Sequence, residues 1–196
     1  MSRDVFDSRP AHSVLLIGNS RTYYNNMPLM VRAIADSAGD TEKYQLIMVA
    51  EPGASFEELT KDPKLHRALR SPWDDVVLQG ESRGQSSEEQ SRSFQTYGQR
   101  LATMAHPLRG QPWLVVNWAY DPSKYNDPDV GRPSHLRAMR DGHDALAERA
   151  DLREVDVSSI WEKVRNAHPT IQLTSDGNHP TVAGSYLLAL AIYAKL

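Results

Sequence analysis

The chain has 196 residues, 40% of them hydrophobic and 24% charged, with a formal net charge of -3. That size and balance describe one globular domain with a sizeable core and exclude wholesale disorder or a fibrous role, while the slight acidity offers no general attraction to nucleic acid or anionic lipid. The absence of cysteine excludes disulfides, thiolate metal sites and a cysteine nucleophile.

The N-terminal MSRDVFDSRPAHS carries charges of both signs and no apolar signal-peptide core. Residues 1–12 are expected to be a loosely ordered lead into a single domain over 1–196. Ser13 to Ile17 is a short apolar run that predicts a strand, broken by Gly18-Asn19-Ser20, and Pro28 then opens a helix to Ser37. Tyr44 to Ala50 predicts a second strand, followed by Glu51-Pro52-Gly53-Ala54-Ser55 and a helix from Pro63 to Arg70. Asp75 to Leu78 predicts a third strand that ends in Gln79-Gly80-Glu81-Ser82, and Glu88 to Ala105 a long helix. Trp113 to Asn117 predicts a fourth strand, with a long polar and aromatic loop, Trp118 to Asp127, behind it. Ser134 to Ala150, Ser158 to Ala167 and Thr181 to Lys195 read as helices, with a weaker fifth strand at Leu152 to Val157. No stretch approaches the roughly 20 apolar residues that a membrane helix needs. A cytoplasmic protein is the expectation, or an exported one if a signal peptide has been removed.

Brief continuous apolar runs alternating with amphipathic helices are the pattern of an α/β domain, a three-layer α/β/α sandwich on a mainly parallel sheet of about five strands, flavodoxin-like in its layers. Sheets of this kind place their sites at the carboxyl ends of the strands. Polar residues and glycines collect at those ends here, and the loop Ser175-Asp176-Gly177-Asn178-His179-Pro180 before the final helix can swing onto the same rim. Hydrolysis through a serine needs a base, a carboxylate to orient that base, and donors aimed at the oxyanion. Ser20, His179 and Asp176 are the candidates for the first three parts, with free backbone N–H groups at the strand-to-helix turn for the fourth.

Two of these stretches, LLIGNSRTYYNNMP and SDGNHPTVAGSYLLALAIY, resemble the first and last blocks of the SGNH hydrolases, the GDSL esterase and lipase superfamily. The resemblance implies that Ser20 is the nucleophile, His179 the base and Asp176 its orienting acid. It also implies an oxyanion hole made by the N–H groups of Ser20 and of Gly53 in AEPGASFEEL and by a side-chain amide after the third strand. VVLQGES departs from the common G-x-N-D pattern and resembles the Q-G-E-S form of the sialate and acetylxylan esterase branches, which assigns the amide to Gln79, with Ser82 and Gln85 as competitors. The implied function is hydrolysis of an acyl ester, acetyl or short-chain, on a small molecule or a carbohydrate. It needs no cofactor and no metal, and no nucleic acid or membrane partner. Asn19, Tyr23, Trp118 and Tyr120 are the candidates for substrate contact. Oligomeric state is not legible.

Each residue also has a plainer reading. Ser20 is a natural N-cap, Asp176 and His179 are natural turn residues, Gly53 suits a tight turn after Pro52, Gln79 can simply end a strand, and Glu81 reads as a structural carboxylate. At the level of the whole protein the competitor is a non-catalytic carbohydrate-binding protein on the same fold. A nucleotide binder is disfavoured, because the first loop lacks the G-x-G-x-x-G glycines.

Overall fold

The computed structural model describes residues 8–81 and 87–196. Five parallel strands form one sheet in the order β2-β1-β3-β4-β5. They are β1 (Ala11–Gly18), β2 (Lys43–Ala50), β3 (Asp75–Gln79), β4 (Trp113–Val116) and β5 (Arg153–Asp156). Alternate residues of β1 point to opposite faces. Val14 and Leu16 enter one core with Val77, Val115 and Val155, whereas Leu15 and Ile17 enter the other with Val76, Leu78 and Leu114. Both faces are covered, which is why the strands read as unbroken apolar runs rather than as an alternation.

On the first face lie α2 (Met27–Ala38), α7 (Val157–Ala167) and α8 (Val182–Tyr193), contributing Met27, Val31, Trp161, Leu188 and Ile192 to the core. On the second lie α3 (Phe56–Lys61), α4 (Pro63–Ala68), α5 (Glu88–Met104) and α6 (Pro128–Ala150), contributing Phe56, Leu59, Leu65, Phe94, Leu101 and Leu146. A single turn of helix, α1 (Ser20–Tyr23), follows β1 directly. Among the described residues no helix is long and apolar enough to cross a membrane.

Three details depart from the sequence reading. Ala11 and His12, expected in a loose lead-in, are the first residues of β1, and His12 is buried between Glu42 and Asp75. The helix α3 was not expected, although ASFEEL holds its capping box: the Glu58 N–H donates to Ser55 Oγ at 3.3 Å and the Ser55 N–H to Glu58 Oε2 at 2.8 Å. The helix α6 starts six residues before the expected Ser134 and runs through Pro133. Its first turn is anchored from outside. Arg132 donates to the Tyr120 carbonyl at 2.9 Å and to both oxygens of Glu162 at 2.5 and 2.9 Å, which offsets the hydrogen bond that the proline removes.

Candidate active site

Between β1 and α2 the chain turns sharply over one crowded segment. Gly18 lies so close to its neighbours that a Cβ there would stand 2.3 Å from Thr22 Oγ1 and 2.8 Å from Gln79 Oε1. Asn19, not Ser20, is the N-cap of α1, its side chain accepting the Arg21 N–H at 3.2 Å. Asn19 also donates through its own N–H to Gln79 Oε1 at 3.1 Å and through Nδ2 to the carbonyls of Ala54 (3.3 Å) and Gly80 (3.4 Å). The loops after the first three strands are thereby tied to one side chain, and Ser20 is left at the first helical position with its hydroxyl free for another partner.

That partner comes from the far end of the chain. An antiparallel bridge between Thr174 and Pro180 closes the loop that carries His179. Within it Asp176 Oδ1 accepts the N–H groups of Asn178 at 2.9 Å and His179 at 2.7 Å, and Oδ2 lies 2.7 Å from His179 Nδ1. The hydrogen bond from His179 holds the Asp176 carboxyl well below the usual carboxylate range. A carboxylate only accepts, so Nδ1 carries the proton and the neutral ring offers Nε2 as acceptor. His179 Nε2 is 3.0 Å from Ser20 Oγ. The Tyr24 ring stacks on the imidazole, centroids 4.5 Å apart and planes 10° from parallel. Asn25, in the left-handed region at φ 55°, donates to the Pro180 carbonyl and to Ser185 Oγ, both at 2.9 Å. Asparagine tolerates that conformation better than most residues, which gives the YYNN tail of the first block a physical reason.

A cavity of about 960 Å³ opens over this pair, and its lining takes in Ser20, Gly53, Asn178 and His179 together with Glu57, Glu81, Glu89, Gln90 and Ser93. Gly53 sits at φ +67°, a conformation that suits glycine. Tyr23 and Tyr120, two of the residues named for substrate contact, line this cavity. Asn19 reaches it too, although its polar atoms are committed to the loop ties described above.

Two candidates lie elsewhere. Gln79 is 2% exposed. Its carbonyl oxygen accepts the Asn19 N–H and, at 2.8 Å, the Thr22 hydroxyl, and its amide nitrogen donates to the Gly80 carbonyl and, at 3.4 Å, to Asn117 Oδ1. With both ends of the amide spent on the loop framework, Gln79 has no donor turned toward the cavity. Trp118 has no exposed surface. It is stacked on Trp161 at 4.1 Å with planes 2° apart, so it supports the wall from behind rather than touching a ligand. Ser82 and Gln85 lie outside the described residues.

Sequence reasoning passed over Arg21 and Asn178. Arg21 is 2% exposed, and burial pulls its guanidinium down to about 10, which leaves it charged at neutral pH. Its Nε and Nη2 donate to Asn178 Oδ1 at 3.2 and 2.8 Å, its Nη1 to the Trp118 carbonyl at 2.7 Å, and its plane lies 4.3 Å from the centre of the Trp118 ring. The only signal in the sequence was a charged residue beside the serine in a segment too tight to let it reach solvent. Glu81 borders the cavity; burial raises its carboxyl, and its Oε2 has no partner among the described residues. Among those residues, no cluster of three or more histidines and carboxylates is placed to hold a metal ion.

No family model and no curated protein matches the chain. Solved structures do match it in shape. A proposed SGNH hydrolase from Slackia heliotrinireducens superposes with a TM-score of 0.77 at 24% identity, over 94% of this chain and 98% of that one. An acetylxylan esterase from Geobacillus stearothermophilus gives 0.73 at 16% identity, over 95% and 94%, and a proposed GDSL-like lipase from Parabacteroides merdae gives 0.74 at 13%, over 96% of each. With the parallel five-stranded order and a serine turn at the end of β1, this chain has the fold of the SGNH hydrolases.

Proposed function

We propose that the protein is a serine esterase that cleaves an acetyl or other short acyl ester carried on a carbohydrate, through an acyl-enzyme. The observation that carries this reading is the unbroken relay from Ser20 Oγ to His179 Nε2 at 3.0 Å and from His179 Nδ1 to Asp176 Oδ2 at 2.7 Å. Both steps lie within the 2.6–3.2 Å reach expected of a working nucleophile and base. His179 takes the Ser20 proton as Oγ attacks the ester carbonyl. The N–H groups of Ser20 and Gly53, both on the cavity wall, hold the oxyanion. His179 then passes its proton to the departing alcohol and takes one from water, whose oxygen attacks the acyl-enzyme; that proton goes on to Ser20 Oγ as the acyl–Oγ bond breaks and the acid is released. Asp176 stabilises the imidazolium in both halves. Gln79 keeps the nucleophile turn in place from below, as the acceptor for Asn19 and Thr22.

The carbohydrate part of the reading draws on the cavity lining, to which Ser55, Gln90 and Ser93 contribute hydroxyl and amide groups and Tyr23, Tyr24 and Tyr120 contribute rings. Hydroxyl-rich ligands are bound by such mixed surfaces, and the acetylxylan esterase likeness points the same way. The test is turnover of p-nitrophenyl acetate and of acetylated sugars, with a fluorophosphonate probe as a label for the serine. Wild type should turn over and be labelled at Ser20, and Ser20→Ala should fall to background in both assays with its melting temperature kept. A folded wild type that neither labels nor releases acetate from any of these esters would leave only the sugar-binding reading.

A further inference from the structure

The nucleophile and the base are held 3.0 Å apart although 159 positions separate them in the chain. Their immediate neighbours make a second bridge, Arg21 to Asn178, parallel to the first. Asn178 is held from three sides. Its N–H goes to Asp176 Oδ1, its side-chain oxygen takes two N–H groups of Arg21, and its carbonyl accepts the Trp118 indole N–H at 3.1 Å. The Trp118 ring in turn lies between the Arg21 plane at 4.3 Å and the Trp161 ring at 4.1 Å.

We infer that Arg21 is a positioning residue for the proposed hydrolysis: its fork clamps Asn178, and through that residue it fixes the adjacent His179 on the serine. The inference rests on the esterase reading and goes beyond it by assigning a role to a residue that touches no reacting atom. Among the described residues this buried cation is held by carbonyl oxygens and ring faces with no carboxylate in hydrogen-bond reach, an arrangement that is expensive to keep. Apolar packing of the same volume would fill that space at lower cost, so the guanidinium is retained for its geometry. Two donors meet one oxygen at angles set by a rigid plane while a third reaches a carbonyl and the face rests on an indole. Lysine keeps the charge but has no such plane.

The test is a double-mutant cycle of Arg21→Lys and Asn178→Ala, read as kcat and KM on an ester that wild type turns over, together with the rate and the final extent of fluorophosphonate labelling. A displacement of the base by about an ångström costs on the order of 10²-fold in rate. Each single variant is expected to lose about 10- to 100-fold in kcat, with KM within twofold of wild type and labelling slower but still complete, and the double variant should lose no more than the worse single. Additive losses, an unchanged kcat in R21K, or an effect confined to KM would overturn the assignment. If R21K does not fold, N178A decides, since it leaves the guanidinium in place; full activity in N178A overturns the inference. A wild type without esterase activity is a separate result that removes the reaction itself, before any variant is compared.

Discussion

A single carbon separates two duties of Asp176. Its Oδ1 shapes the loop by accepting the N–H groups of Asn178 and His179, and its Oδ2 alone faces the imidazole. In Asp176→Asn the remaining carbonyl oxygen keeps the two backbone N–H bonds, while the new amide presents a donor toward Nδ1. That favours the tautomer with its proton on Nε2, where it opposes the serine hydroxyl. We therefore expect kcat to fall by about 10⁴-fold at an unchanged melting temperature, measured on the same ester as wild type; a loss below tenfold would show that the carboxylate does not set the tautomer. At this scale chain position singled out three polar groups, and the structure brings them within hydrogen-bond distance of one another. Position was blind to direction. Gln79 and Trp118 stand at strand ends on the right rim, yet one amide turns inward to Asn19, Thr22 and Gly80 and one indole turns away to Trp161. Nothing in chain position says which way a side chain faces once the helical layers on either side of the sheet and a buried guanidinium compete for the same space.

At the scale of elements, β1, β3 and β4 were legible because both their faces are covered and their apolar runs are nearly continuous, whereas the edge strand β2 leaves Ile47 and Met48 exposed and β5 is polar at three of its four positions, which made it the weaker signal. The helix α3 was missed because its six residues are too few to show a period, and only its capping box marked it. The expected helix began at Ser134, but α6 begins at Pro128 and passes through Pro133, where Arg132 is held by Glu162 and the Tyr120 carbonyl. The placement of α8 after the 174–180 loop depends on Gly184, where a Cβ would meet the Leu173 carbonyl at 2.2 Å and the Trp161 ring at 2.8 Å. Backbone cannot yield as a side-chain end can. At Gly98, on the α5 side, the first atom met would be a Leu146 methyl at 2.5 Å, which can rotate aside. Gly184→Ala is thus expected to destabilise by about 1–3 kcal/mol, a drop of roughly 2–4 °C per kcal/mol for a chain of this length, and Gly98→Ala by less. Thermal unfolding of the two variants checks the order, and a reversed order would contradict the packing of α8.

For the whole molecule, two buried histidines give opposite responses to pH. His12 lies at the end of the sheet remote from the cavity, and its hydrogen bond to Asp75 at 2.9 Å raises its pKa against the effect of burial, with Glu42 at 3.1 Å adding to the rise. Asp75 in turn accepts from Trp113 and Arg153, and Arg109 pairs with Asp74 and Glu42. Folding favours the protonated ring. Its contribution is therefore complete below the unfolded value near about 6.5 and is lost as pH rises through the higher folded value. His143 behaves in the other sense. Burial between α5 and α6 pushes it down to about 4, with Nδ1 donating to the Met139 carbonyl and Nε2 unpartnered among the described residues. As pH falls from about 6.5 toward that value, the unfolded chain takes up a proton that the folded chain refuses, and stability declines. Melting temperatures across this range should fall on both sides of a maximum. His12→Asn should flatten the alkaline side and His143→Phe the acid side; a slope unchanged by its own substitution would refute that half of the account.

The bridge between Ser20 and His179 also bears on proteolysis. The two residues stand 159 positions apart in the chain, so a nick anywhere between them leaves their alignment dependent on the two fragments staying docked through the shared sheet and core. Loss of the proposed ester cleavage on nicking would then report separation of the fragments, with the residues themselves intact.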